Sequence, residues 1–270
     1  MSENLLVVEG LSKSYGDHQV LGNLNFNVRA GEFMSIVGPS GAGKTTLLQC
    51  LSGLIDPSSG TVSLRGNRVT EPPKEMAIVF QDYSRSLMPW MSILDNVMLP
   101  LRSTVKDKAK RRDRAMEALV EVGLKGHTNK YPWQLSGGMQ QRVAIARALA
   151  YAPAIVLMDE PFASVDAQTR ADLEDLTLRV KNNLGITIAL VTHDIDEAVY
   201  LADRVLVLGR KPTEVVEMIE TNLGVERDQV TTKSTREFAQ LRARVYKEIR
   251  HGEIPGSNGG VETPLQVASS

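Results

Sequence analysis

One stretch of the sequence has the residue types and spacing of a phosphate site. Gly38-Pro39-Ser40-Gly41-Ala42-Gly43-Lys44-Thr45-Thr46 matches the pattern G-x-x-x-x-G-K-[S/T] without a gap. Glycines allow a sharp turn that points several backbone N–H groups at one anion. We expect Lys44 to reach the β- and γ-phosphates of a nucleotide. We expect Thr45 to offer its hydroxyl to Mg²⁺, which prefers phosphate and water oxygens.

The segments around this stretch support that interpretation over a glycine-rich turn that matches by chance. Residues 33–37 are apolar except for Ser35 and predict a strand, and residues 46–51 predict a helix. A strand, a glycine-rich loop and a helix in this order bring the positive end of the helix dipole to the anion. The single cysteine, Cys50, lies within this helix, where a packing role is favoured over a reactive one.

Two carboxylates follow a second apolar strand. Residues 154–158 are apolar throughout, which is typical of a central parallel strand, and Asp159-Glu160 follow directly. Side chains at the carboxyl end of such a strand lie in the crevice where α/β proteins bind ligands. We expect Asp159 to help hold Mg²⁺ through water and Glu160 to orient or polarise an attacking water. The alternative is an acidic pair that caps a helix, but Pro161 follows and no helix is predicted for several residues.

Other polar side chains follow strands at the same predicted edge. Gln81 follows residues 76–80, and His193 comes shortly after residues 186–191. Taken alone, Gln81 would be an ordinary loop residue and His193 a structural histidine. Their placement beside Asp159-Glu160 favours a shared site. Tyr15, upstream of the glycine-rich loop, either stacks on a base or is a half-exposed turn residue, and its position alone favours neither.

A second glycine-containing helix start lies in the middle of the chain. Ser136, Gly137 and Gly138 belong to the run Leu135-Ser-Gly-Gly-Met-Gln-Gln-Arg142, which precedes a helix predicted to end at Ala150. The start of this helix is a potential anion site. A serine that simply caps the helix is the alternative.

The rest of the pattern is strand and helix in alternation, which indicates an α/β fold. Two N-terminal strands are predicted at residues 5–11 and 20–28, the second with a turn near Gly22-Asn23. Residues 84–150 are instead predicted to be helical, with helices at 92–101 and 109–122. The basic run at 106–114 favours a solvated helix face over contact with anionic lipid. Further helices are predicted at 168–182 and 238–249, and a disordered tail from Gly252.

Composition narrows the class of protein. The chain has 270 residues, 42% hydrophobic and 23% charged, which suits a folded protein of one or two domains. A net charge of −1 gives no global attraction to nucleic acid, so no nucleic-acid partner is expected. The sequence shows neither a signal peptide nor an apolar run near the ~20 residues needed to span a bilayer.

Together these motifs, in this order, resemble the ATP-binding subunit of ABC transporters, over residues 5–209. The run from Leu135 to Arg142 resembles the ABC signature, which is far more specific than the phosphate loop. Gln81 matches the family's Q-loop, His193 its switch histidine and Tyr15 its base-stacking aromatic. Ser164-Val165-Asp166 falls at the D-loop, where valine replaces the usual leucine and the aspartate is kept.

The resemblance implies a P-loop NTPase (RecA-like) core with an N-terminal antiparallel β subdomain and an inserted α-helical subdomain at about 84–150. It implies an ATPase domain at 1–232 and a C-terminal helix and tail at 233–270. It further implies that two copies sandwich two ATP molecules with Mg²⁺. Lys44 and Thr45 of one copy would hold an ATP from one side, and Ser136, Gly137 and Gly138 of the other would cap its γ-phosphate. Asp166 of the D-loop is a further expected nucleotide-binding residue. Glu160 would act as base, His193 would stabilise the transferring phosphate, and Gln81 would contact the metal or water.

A finer resemblance is to importer ATPases of the nitrate, sulfonate and taurine group. It depends on Val79-Phe-Gln-Asp82, Leu87-Met-Pro-Trp90, Asp95-Asn-Val97, Tyr131-Pro-Trp-Gln134 and Asp166-Ala-Gln-Thr-Arg170. It implies a separate membrane permease that contacts residues 82–90, an extracytoplasmic solute-binding protein, and a peripheral location at the cytoplasmic face of the membrane. Alternatives are an exporter or lipid-trafficking ATPase, an ABC ATPase of DNA repair or translation, and a regulator that binds ATP without hydrolysis. The single phosphate loop and signature disfavour the second, and intact Glu160 and His193 disfavour the third.

Overall fold

The computed structural model describes residues 3–82, 86–210 and 212–252, which form two β-sheets and a set of helices. The strands are β1 Asn4–Tyr15, β2 His18–Arg29, β3 Phe33–Val37, β4 Ser59–Leu64, β5 Asn67–Arg68, β6 Met76–Val79, β7 Ile155–Asp159, β8 Thr187–Val191, β9 Arg204–Leu208 and β10 Val215–Glu220. The α-helices of the described residues are α1 Lys44–Leu51, α2 Ile93–Met98, α3 Lys108–Glu121, α4 Gly137–Ala150, α5 Ala167–Leu184, α6 Ile195–Leu201 and α7 Arg236–His251.

A six-stranded sheet in the order β10-β9-β3-β8-β7-β6 forms the centre of the molecule, and all its strands are parallel except β10. Every residue of β3, β7, β8 and β9 is buried. The side chains of β3 belong to two different hydrophobic clusters. Phe33 and Val37 belong to one cluster, and Met34 and Ile36 belong to the other. The sheet is therefore covered on both faces, which explains the continuous apolar runs in the sequence. The carboxyl ends of β3, β6, β7 and β8 meet at one edge, as predicted.

A smaller antiparallel sheet in the order β2-β1-β4-β5 includes the N-terminus and confirms the predicted antiparallel subdomain. The predicted turn at Gly22-Asn23 is wrong, because both residues lie inside β2. Asn23 has φ 52°, and the pairing of β1 with β2 shifts register nearby. A β-bulge accommodates Gly22 and Asn23 within the strand, although their residue types are typical of a turn.

Between β6 and β7 the described chain is helical, which confirms the predicted insertion, although residues 83–85 at its predicted start lie outside the described residues. Residue 101 was predicted to end the first helix, but α2 ends at Met98 and a 3-10 turn, Pro100–Ser103, follows. Proline lacks the N–H that a longer α-helix would need at this position. Leu94, Leu119 and Ile145, from α2, α3 and α4, belong to the cluster on the α4 side of the central sheet.

The C-terminal helix is confirmed as α7, whose Phe238 and Val245 are buried in that same cluster. Strands β5 and β10 were not predicted. The predicted tail lies outside the described residues beyond its first residue, Gly252, and the domain boundary at 232/233 stays a prediction. Within the described ranges, no helix is both long and apolar enough to span a membrane.

Candidate nucleotide-binding and hydrolysis site

The glycine-rich loop joins β3 to α1, as the sequence predicted. Gly41 and Gly43 have φ values of 76° and 77°, in the left-handed region that favours glycine. A Cβ at Gly43 would lie 2.6 Å from Cγ1 of Val20, and a Cβ at Gly38 would lie 2.9 Å from the carbonyl oxygen of Leu208. The loop thus packs tightly on two neighbouring strands, and its path is compatible with glycine at these positions.

Helix α1 begins differently from the other helices of the described residues. Side chains cap α2 to α7, those of Ser92, Asp107, Ser136, Asp166, Asp194 and Thr235. At α1 the cap position is Gly43, which has no side chain to bond the first N–H groups. Those N–H groups and the helix dipole are therefore available to an anion such as a phosphate.

Lys44 lies at the centre of the loop with its side chain largely buried. Its Nζ donates hydrogen bonds to the carbonyl oxygens of Gly38 and Pro39, at 2.9 and 3.0 Å. Burial lowers the pKa of the Lys44 ammonium, and the nearby carboxylates of Glu160 and Asp159 oppose that shift. The ammonium is held inside the loop, where it would meet the phosphates of a bound nucleotide.

Asp159 ends β7 beside the start of α1. Burial raises the pKa of its carboxyl, and a hydrogen bond from the Thr45 hydroxyl acts in the opposite direction. A hydroxyl and a carboxylate are both oxygen ligands that suit Mg²⁺. Within the described residues, no group of three or more His, Cys, Asp and Glu side chains forms a metal site. An ion bound beside Thr45 and Asp159 would need further oxygen ligands, which phosphate and water can supply.

Glu160 and His193 meet at the same edge. Glu160 adopts φ 43°, and its N–H donates to the carbonyl oxygen of Val191 at the end of β8, at 2.8 Å. Its Oε2 lies 3.1 Å from Nδ1 of His193. The Glu160 side chain is 22% exposed and that of His193 is 62% exposed. A partly desolvated carboxylate paired with an accessible imidazole is suited to orienting water and moving a proton.

Lys44, Glu160 and His193 share one cavity of about 730 Å³, which is large enough for a nucleotide. Of the predicted residues nearby, Gly38, Pro39 and Asp159 do not line it. Its lining consists of Tyr15, Val20, Ser40, Gly41, Ala42, Gly43, Lys44, Thr45, Thr46, Glu160 and His193. The ring of Tyr15 is half-exposed at the end of β1, with Nζ of Lys13 5.2 Å from its centre. The position of Tyr15 on the cavity wall supports its predicted role in base stacking.

Other predicted site residues lie elsewhere in the chain. Gln81 is exposed just beyond β6 at the same sheet edge, but it does not line the cavity. Ser136 caps α4, with its Oγ accepting from the N–H of Met139, and Gly137 and Gly138 follow it. Asp166 caps α5, where its carboxylate accepts from the N–H and hydroxyl of Thr169. The signature and D-loop residues are therefore not part of their own chain's cavity.

One residue that supports the loop, Thr213, was not predicted from the sequence. The hydroxyl of Thr213, which is fully buried, donates to the carbonyl oxygen of Ala42. Its N–H and carbonyl bond to Val20 and Gly22 of β2. Thr213 thus ties the glycine-rich loop to the small sheet. It lies in a segment without a hydrophobic pattern, so only the structure identifies it.

Comparison with known proteins adds to this geometry. The family model described as ABC transporter matches residues 21–163. The chain is 41% identical to an aliphatic sulfonates import ATP-binding protein (SsuB) of Bacillus thuringiensis subsp. konkukian, over 90% of this chain and 93% of the relative. It is 41% identical to a taurine import ATP-binding protein (TauB) of Yersinia pestis, over 82% and 86%. It is 41% identical to a nitrate import ATP-binding protein (NrtC) of Synechococcus elongatus, over 84% and 35%.

A solved structure has the same architecture. It is the dimeric ATP-binding cassette MJ0796 in a post-hydrolysis state bound to ADP and Pi. The TM-score is 0.69 at 35% identity, and the match covers 80% of this chain and 98% of the cassette.

Proposed function

The chain belongs to the ABC transporter family, and we propose that it hydrolyses ATP to drive import of a small anion of the sulfonate, taurine or nitrate class through a separate permease. The observation that carries this proposal is the pairing of Glu160 with His193 over a cavity whose floor is the loop around Lys44. The import functions in the relatives' names favour an importer over an exporter or lipid-trafficking ATPase.

Hydrolysis requires a water that is aligned with the terminal phosphate. Glu160 is proposed as the group that takes a proton from this water or orients it. His193, held by its Nδ1 contact with Glu160, is proposed to donate a hydrogen bond to the charge that develops on the transferring phosphate. Lys44 would neutralise the phosphates from the other side.

We assign Mg²⁺ to the neighbourhood of Thr45 and Asp159, with Gln81 as a further contact to the metal or its water. The hydrogen bond between Thr45 and Asp159 supports this assignment, because it places two oxygen ligands beside the phosphate loop. The ion would neutralise charge on the phosphates. Gln81 follows β6, whose carboxyl end lies at the same edge of the sheet as those of β7 and β8, and this placement supports the proposed contact.

A second copy of the chain is proposed to complete each site. In this arrangement Ser136, Gly137 and Gly138 of one copy cover the nucleotide held by Lys44 of the other, with Asp166 close by. The separation of the signature from its own cavity supports this arrangement, as does the dimeric state of the similar cassette. Each copy then contributes the phosphate loop to one nucleotide site and the signature to the other, and bound ATP holds the two copies together.

The permease is proposed to contact the surface near Gln81. Trp90, 71% exposed, and Phe80, 44% exposed, present apolar area on the described parts of this surface. A permease in the membrane would place this chain at its cytoplasmic face, and a solute-binding protein would deliver the anion from the other side. Since the permease and binding protein carry the anion, its identity depends on them.

The test uses the Glu160→Gln variant of the full chain, analysed by size-exclusion chromatography with light scattering. With ATP and Mg²⁺ we expect the mass to double from 29.6 kDa, because ATP is bound but not hydrolysed. The control adds Ser136→Arg, which should keep ATP binding but prevent the dimer. A monomer that binds ATP, or a dimer that survives Ser136→Arg, would contradict the proposed sandwich. Hydrolysis by Glu160→Gln at the parent rate would contradict the role of Glu160.

A further inference from the structure

An ion pair joins the start of α5 to the loop that carries His193. Nη1 of Arg170 lies 3.2 Å from Oδ2 of Asp194, and both side chains are 32% exposed. Arg170 is the fourth residue of α5, and its N–H donates to the carbonyl oxygen of Asp166. Asp194 directly follows His193 in the chain. The pair therefore spans two segments that both contribute to the site.

Asp194 is held from several directions. Its Oδ1 accepts from the N–H groups of Asp196 and Glu197 in the first turn of α6, at 2.9 and 3.1 Å. Its own N–H donates to the hydroxyl of Thr192 at 3.0 Å. With Oδ1 engaged by α6, Oδ2 is left for Arg170. The backbone at 192–194 is consequently fixed on both sides of His193, whose ring contacts Glu160.

The other side of the same α5 turn contacts the signature. Thr169, next to Arg170, is bound by the Asp166 carboxylate through its N–H and its hydroxyl. A Cβ at Gly138 would overlap Cγ2 of Thr169, so the second signature glycine packs directly on this turn. One helical turn thus touches the signature on one side and the loop of His193 on the other.

We propose that Arg170 is a positioning residue for hydrolysis: through Asp194 it sets the location of His193 relative to Glu160, and it does so from a helical turn that also braces the signature. This inference rests on the proposed function, since it presumes that His193 and Glu160 act on ATP. It gives the chain a direct mechanical link between its two half-sites, one for each nucleotide of the dimer.

The ordinary interpretation is a surface ion pair that adds little. Exposed pairs of this kind contribute weakly to stability, since water screens them and both side chains lose rotamer freedom. Loss of the pair should therefore change the folding stability slightly and the position of His193 more strongly. A small displacement of a catalytic group is sufficient to slow a reaction markedly.

The experiment compares Arg170→Met, which keeps length and removes charge, with Arg170→Lys and with Arg179→Met in the full chain. Arg179 lies exposed on the same helix and provides the matched control. ATP hydrolysis gives kcat and KM. A second readout is the NMR spectrum of the chain with ¹³C-labelled histidine, which has few ring signals because the chain has four histidines. The signal that disappears in His193→Gln is assigned to His193.

We expect Arg170→Met to lower kcat about tenfold, with KM for ATP changed less than about twofold because the phosphate loop is untouched. The His193 ring signal should move. Arg170→Lys should restore most of both readouts, since a single guanidinium nitrogen makes the contact with Asp194. Arg170→Met combined with Asp194→Asn should be no slower than the slower single variant, because both changes break one contact.

An unchanged kcat and an unmoved His193 signal in Arg170→Met would overturn the inference. A fall in kcat together with a similar rise in KM and a loss of thermal stability in Arg170→Met would also overturn the inference, because these changes would indicate a general structural role. Failure of the proposed function looks different: Glu160→Gln would then hydrolyse ATP at the parent rate, while the ring signal of His193 would still report on its position.

Discussion

Nδ1 of His193 lies 3.1 Å from Oε2 of Glu160, and this contact joins the ends of two neighbouring parallel strands, β7 and β8. The carboxylate fixes one nitrogen of the imidazole, so the orientation of the ring depends on Glu160. Neither residue is on α1 or on the phosphate loop. The site is therefore divided into a part that binds the phosphates of the nucleotide and a part that acts during hydrolysis.

This division predicts the behaviour of His193→Ala. We expect kcat to fall about 100-fold, the range typical of a lost acid–base or charge-stabilising group, with ATP affinity nearly unchanged. Single-turnover hydrolysis and titration with a fluorescent ATP analogue measure the two quantities. His251→Ala, at the end of α7, is the control. Equal losses in binding and hydrolysis would argue against the division.

Two loop glycines provide a matched test of packing. Gly41 and Gly43 share nearly the same φ, 76° and 77°, so alanine is strained to a similar extent at both positions. At Gly43 the new Cβ would also lie 2.6 Å from Val20, whereas at Gly41 nothing lies within 4 Å. We expect Gly41→Ala to cost about 1 kcal/mol of folding free energy and Gly43→Ala about 2–3 kcal/mol. Urea unfolding followed by circular dichroism measures both, and equal losses would contradict the packing argument.

The sequence predicted those parts of the site that a single strand and the loop after it can position. Residues 38–46, Asp159, Glu160 and His193 were found because each follows an apolar run, and parallel strands deliver their ends to one edge. The short strand β5 and the strand β10 were missed. β10 lies at the edge of its sheet and pairs only with β9 in the described fold, so its residues alternate weakly between buried and exposed.

Side-chain contacts between distant parts of the chain could not be predicted from the sequence. Nothing in the sequence connects Thr213 with Ala42, or Arg170 with Asp194, because these pairs are separated by 171 and 24 residues. Such contacts depend on how helices and loops pack after the sheet has formed. They are side-chain hydrogen bonds without a periodic pattern, and periodicity is the signal on which prediction depends.

Asn96 is the buried residue that organises the segment before α2. Its Oδ1 accepts from the N–H of Met88, and its Nδ2 donates to the carbonyl oxygens of Met88, Met91 and Ser92, at 2.7 to 3.1 Å. Asn96→Leu would remove the side-chain partners of the Met88 N–H and the Met91 carbonyl oxygen, whereas the carbonyl oxygens of Met88 and Ser92 keep backbone donors. We therefore expect a loss of about 1–3 kcal/mol. Thermal unfolding measures the loss. Asn183→Leu, at an exposed position of α5, is the control. If Asn96→Leu loses permease binding at a temperature at which the variant is still folded, the segment around exposed Trp90 takes part in docking.

Cys50 is predicted to be unreactive while the protein is folded. It is 1% exposed within α1, and burial raises the pKa of its thiol to about 11. At pH 8 the thiolate that reacts with alkylating or disulfide reagents is therefore scarce and also inaccessible. We expect that DTNB does not label the native chain over minutes, and that it labels one thiol per chain in urea. Rapid labelling of the native chain would indicate that the packing around the end of α1 opens.

Glu197 gives a pH dependence of stability. It lies in α6 with Oε1 buried and without a partner in the described residues. Burial raises the pKa of its carboxyl well above 4.5; Glu174 and Asp194 add to the shift, and Arg170 and a hydrogen bond with Thr192 oppose it. As the pH rises past the ordinary pKa, the unfolded chain ionises while the folded chain resists. Unfolding then releases a proton, so the fold loses stability as the pH rises from the ordinary pKa to the raised one, and the loss stays at its maximum above the raised pKa.

Glu197→Gln removes this titration, so the melting temperature of the variant relative to wild type should increase with pH. Near pH 5 we expect little difference, and near pH 8 the variant should melt higher by about 2–4 °C for each kcal/mol of penalty removed. Scanning fluorimetry from about pH 5 to 9 measures this difference. Glu117→Gln, on the exposed face of α3, is the control for a changed net charge. A difference that stays constant across this range would mean that Glu197 is ionised in the folded protein, and a difference that falls with pH would mean that its charge stabilises the fold.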